Sequence, residues 1–61
     1  MAYTTMKKLI LNANENLESG SWDRATYDEY RESQQKKLDV FYATGRLTEV
    51  QYEELTGLWI E

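Results

Sequence analysis

The sequence predicts an all-α fold, a small three-helix bundle of antiparallel neighbours, and three observations carry that prediction. Proline is absent, the three glycines stand at positions 20, 45 and 57, and between them apolar residues return at intervals of three and four. An α-helix turns once in about 3.6 residues, so these intervals hold one stripe toward one core. Glycine lacks a Cβ and readily takes the left-handed conformation that closes a helix. Helices are expected over about 3–18, 23–43 and 48–58, within one domain spanning 1–61.

The first helix carries the stripe Tyr3, Met6, Ile10, Ala13 and Leu17, with Leu9 on its flank. It is expected to fade near Glu18-Ser19 and to stop at Gly20. The second opens at Asp23, whose carboxylate can accept from the free amides of the first turn. Its stripe is Tyr27, Tyr30, Gln34, Leu38 and Phe41, and Gly45 closes it.

The third helix opens with the sharpest local pattern in the chain. Thr48-Glu49-Val50-Gln51 fits a capping box: the threonine bonds forward and the glutamine bonds back. Leu47 and Tyr52 stand where a hydrophobic staple needs them, and Tyr52, Leu55 and Trp59 form a short stripe. Gly57 offers an earlier stop, after which Leu58, Trp59 and Ile60 would fold back as an apolar tail.

The two corners repeat each other. Ser19-Gly20-Ser21-Trp22-Asp23 through Tyr30 matches Thr44-Gly45-Arg46-Leu47-Thr48 through Leu55 at an offset of 25, and Thr56-Gly57-Leu58-Trp59 opens a third copy. Tight helix–glycine–helix corners select such residues unaided, so duplication of a short hairpin is not required. Antiparallel packing then sets a register: Leu17 by Tyr27, Ala13 by Tyr30, Met6 by Leu38, Tyr52 by Phe41 and Leu55 by Leu38. Trp22 is expected to close the first corner against Tyr27. Gln34, the polar member of its stripe, is expected to reach water within the polar run Arg31 to Lys37; the alternative is burial with a bond to the Trp59 indole.

Composition narrows the functional classes. With neither cysteine nor histidine, the chain has no disulfide, thiolate or imidazole, the groups most acid–base and nucleophilic schemes recruit. The carboxylates that pair at helical spacing, Asp28 with Glu32 and Glu49 with Glu53, read as solvated helix faces. No calcium loop, phosphate loop or dinucleotide fingerprint is present. The chain is therefore expected not to be an enzyme and to need no cofactor or metal. A net charge of −4 with interleaved cations disfavours nucleic acid. Apolar runs such as Leu9-Ile10-Leu11 are far too short for a membrane span or signal peptide.

Aromatic residues are plentiful, but Tyr27, Tyr30, Phe41 and Tyr52 fall on core stripes. The apolar residues that do not fit those stripes are the candidates for a partner surface: Leu11, Val40, Tyr42 and the tail Leu58, Trp59 and Ile60.

The second corner and the third helix, Tyr42-x-x-Gly45-x-Leu47-Thr48-Glu49-x-Gln51-Tyr52-Glu53-Glu54-Leu55-Thr56-Gly57, resemble the XkdX family of short phage and prophage proteins. That family commonly carries a stretch like Gly-x-Ile-Thr-x-Glu-x-Tyr-x-x-Ile-Thr-Gly. The resemblance covers about a quarter of the chain. It implies a small virion-associated or accessory protein and transfers no functional residue. The expected function is thus a non-enzymatic phage- or prophage-type protein acting through contacts with a protein partner or as a homo-oligomer, in the bacterial cytoplasm or on the virion. The competing readings are an acidic inhibitor or regulator that occupies a basic site on a host protein, and a helical enzyme accessory with a small ligand pocket.

Overall fold

In a computed structural model, residues 2–60 are described, and they form a three-helix all-α bundle. Helix α1 spans Ala2–Glu18, α2 spans Arg24–Ala43 and α3 spans Glu49–Thr56, and each helix packs against the other two. The third helix is shorter than the sequence predicts, ending at Thr56 rather than near residue 58.

Three corner bonds recur at the repeat offset, while Arg46 N–H adds a fourth to Phe41 O at 2.8 Å that Ser21 does not match among the described residues. Gly20 N–H donates to Leu17 O and Gly45 N–H to Tyr42 O, both at 3.2 Å. Trp22 N–H then reaches back to Asn16 O at 3.1 Å, as Leu47 N–H does to Phe41 O at 3.3 Å. Both glycines are left-handed, with φ of 82° and 79°. These bonds satisfy helix-end carbonyls that would otherwise lack partners. Gly57 departs from the pattern. Its φ of −78° is right-handed, so it ends α3 without reversing the chain as the other two do.

Each following helix is capped as its sequence dictates. Asp23 Oδ1 accepts from Thr26 N–H at 2.8 Å. Thr48 and Gln51 form the reciprocal box, both bonds at 3.1 Å. Leu47, just before that box, is buried and joins the core.

The core draws Met6, Ile10 and Ala13 from α1, Tyr27 and Leu38 from α2, Leu55 from α3, and Trp59 from the tail. The direction of packing is readable from side-chain bonds. Tyr52 meets Asp39, while Trp59 further along meets Gln35 earlier on α2, so α3 and the tail run antiparallel to α2. Toward α1 they run parallel, with Tyr3 bonded to Glu54 and Asn14 bonded to Leu58.

Three expectations about contacts are corrected. Trp22 lies on Tyr30, ring centroids 5.0 Å apart, rather than on Tyr27, whose ring takes the Trp59 edge at 5.9 Å. Tyr52 stacks on Tyr42 at 4.6 Å rather than meeting Phe41, because α3 lies against the flank of α2 that carries Gln35, Asp39 and Tyr42. Gln34 does not reach water through its carbonyl. The residue is 6% exposed, and its Oε1 is buried without a hydrogen-bond partner among the described residues.

Candidate partner-binding surface

Gly57 leaves the last described residues as a tail, and that tail folds into the bundle. Asn14 Nδ2 donates to Leu58 O at 2.8 Å, and Ile60 N–H donates to the Tyr27 hydroxyl at 2.9 Å. The same hydroxyl donates to Asn14 Oδ1 at 2.5 Å, so the fully buried Tyr27 both gives and receives a bond. The Arg24 guanidinium caps Ile60 O at 3.1 Å while pairing with Asp28, also at 3.1 Å. The backbone groups of an irregular segment need partners of this kind to lie against an apolar core.

This arrangement sorts the six candidate surface residues. Trp59 is withdrawn from the list: it is 5% exposed, and its indole N–H donates to Gln35 Oε1 at 3.3 Å. An indole is best buried where its single donor finds an acceptor, and the tail supplies both by continuing in the direction of α3 rather than folding back as the sequence suggested. Leu58 and Ile60 are half-buried beside it. Leu11 is 46% exposed, Val40 58% and Tyr42 42%, the last with one face on Tyr52.

The six do not form one patch. Arg24, at the start of α2, holds the tail, whereas Val40 lies more than four turns further along, about 24 Å at about 1.5 Å per residue. Val40 and Tyr42 thus occupy the opposite end of the bundle from Leu58 and Ile60. Leu11 belongs with the tail, because Asn14, one turn further on α1, bonds to Leu58.

Val50, which the sequence did not single out, is the most exposed large apolar residue among those described, at 74%. The capping box that contains it fixed its place at the start of α3 but said nothing of its outward face.

Two shallow troughs bear on binding. One, about 510 Å³, runs along α2 and is lined by charges of both signs, Arg24, Asp28, Arg31, Glu32, Lys36 and Asp39, with Gln35. Asp28 and Glu32 therefore share their face with cations, and Glu49 and Glu53 lie apart on α3. The other, about 460 Å³, is lined by Leu11, Asn14, Glu15, Glu18 and Ser19 of α1 and its end.

The displaced pKa values all move further from pH 7, which keeps Lys7 and Asp23 charged and Tyr30 and Tyr52 neutral. Bonding to Tyr3 and the nearby Glu54 raise Lys7; burial raises Tyr30; and donation to the Asp39 carboxylate raises Tyr52. The Thr26 amide lowers Asp23. Among the described residues, no group of three or more carboxylates gathers to hold a metal ion, and no helix is long and apolar enough to cross a membrane.

No protein-family model, curated protein or solved structure matches this chain.

Proposed function

We propose that this chain is a small, non-enzymatic protein of the phage or prophage type that works by contact with another protein. The observation that carries the reading is the division of its apolar residues. The tail completes the core with Trp59, yet Leu11, Val40, Tyr42 and Val50 stay exposed in so short a chain. Scattered exposed apolar residues are ordinary, but Leu11 lies in a trough beside the half-buried tail, as a contact site would. The phage assignment rests on the resemblance of residues 42–57 to the XkdX family.

The acidic-regulator reading is a narrower version of the same proposal. The net charge of −4, together with Glu15 and Glu18 in that trough, favours a basic counterpart over an acidic one.

Sedimentation over a range of protein and salt concentrations, with photo-crosslinkers placed at Leu11 and Val40, tests the reading. Crosslinks to a copy of the chain or to one saturable partner support contact function. Monomeric behaviour with no saturable crosslink at either position overturns it.

A further inference from the structure

We propose that the α1 trough, with the folded tail beside it, docks a basic amphipathic segment of a partner protein. This rests on the contact reading above and assigns that contact to one surface and one partner chemistry.

The trough joins an apolar anchor point to uncompensated negative charge. Leu11 is 46% exposed at its wall, and the carboxylates of Glu15 and Glu18 border it one and two turns further on. Neither carboxylate takes part in an ion pair among the described residues. Lys7, one turn before Leu11, is engaged toward α3: its Nζ lies 3.6 Å from Glu54 and 3.4 Å from the Tyr3 hydroxyl. One of the two cations preceding Leu11 is thereby occupied; the other, Lys8, is exposed one turn before Leu11, so the partner's basic residues must lie on the Glu15–Glu18 side.

The tail extends the surface. Asn14 lines the trough and its amide also holds the Leu58 carbonyl, so the tail backbone is tied to a residue of the trough wall. The trough is open and shallow, about 460 Å³, so it offers a wall for an apolar anchor rather than an enclosing pocket. A segment with an apolar stripe over Leu11 and lysines or arginines beside it would match both features. A second copy of this chain is disfavoured as occupant, since each carries −4.

Helix α3 provides the contrast. Val50 stands near Glu49 and Glu53, the same residue types, but none of the three lines either trough described above. Electrostatic attraction alone would treat the two acidic faces alike; a docking site would not.

The test is an amide-resolved NMR titration of the full chain with a synthetic amphipathic peptide of leucine and lysine. A peptide of the same pattern with glutamate for lysine serves as the control. Shifts should centre on Leu11, Asn14, Glu15, Glu18 and Leu58 with the lysine peptide only. E15Q with E18Q should weaken binding by at least about fivefold, and by at least about tenfold when Leu11→Ser is added, whereas E49Q with E53Q should weaken it by less than about twofold. Equal effects from the two acidic pairs, equal binding of both peptides, or no binding would overturn this surface. Saturable self-association or crosslinking elsewhere would still leave the contact reading standing. These variants change exposed side chains, and their unperturbed amide spectra would show that the fold survives.

Discussion

The hydroxyl of Tyr27 accepts the amide of Ile60 at 2.9 Å, joining the second helix to the tail across more than thirty residues of sequence. Because that hydroxyl also donates to Asn14, one buried atom ties together α1, α2 and the tail. Tyr27→Phe keeps the ring and removes both bonds. The loss should cost about 1–3 kcal/mol, a large share of the roughly 3–5 kcal/mol typical of domains this small. Urea unfolding measures it, and exchange of the Ile60 amide should accelerate with it. An unchanged midpoint would show that the tail bond contributes nothing.

The paired corners predict a pattern across the glycines. Gly20→Ala and Gly45→Ala each force a side chain into the left-handed region, at about 1–2 kcal/mol. Gly57→Ala meets no such strain, since its φ is −78°, and the new Cβ has only to settle against the Glu53 carbonyl oxygen at 3.3 Å. Thermal unfolding of the three variants should therefore place the first two together below the third. Equal losses in all three would remove the conformational explanation of the corners.

Gln34→Leu should stabilise the chain by about 1 kcal/mol, because it removes a buried carbonyl oxygen that has no partner. A lower urea midpoint would mean that the amide is engaged in solution.

The cap of α2 titrates. The Thr26 N–H holds the Asp23 carboxyl below its ordinary value, so the folded pKa lies beneath the unfolded value of about 3.9. The stabilisation is therefore complete above the unfolded value and disappears as pH falls through the folded one. Asp23→Asn retains a capping oxygen without the charge and should flatten that part of the stability–pH curve. An acid limb identical to that of the parent would refute the linkage.

Much of this architecture was legible in the residues. Gly20, Gly45, Asp23 and Thr48 specify local hydrogen bonds, and local bonds depend little on what surrounds them. Stripes at Met6, Ile10, Tyr27, Leu38 and Leu55 likewise named the core, because helical period alone decides which face they share. What local pattern could not give was the flank of α2 on which α3 would lie. That choice turned Tyr52 to Tyr42 and put the Trp59 indole on Gln35, one residue from Gln34, where only the alternative reading sets it.

The burial of Gln34 was missed for a related reason. Its polar neighbours suggested an open face, but Gln35 is half-buried under the Trp59 indole and the Tyr52 hydroxyl. The candidate surface was read only in part. Exposure of Leu11, Val40 and Tyr42 followed from their angles on the helices, whereas Trp59 depended on where the tail went.

The bundle is closed by that tail, and nuclear Overhauser spectroscopy tests the claim most directly. Cross-peaks between the Trp59 indole and the Tyr27 ring, together with a slowly exchanging Ile60 amide, are the predicted result. Random-coil shifts over residues 57–60 with no such cross-peaks would contradict it.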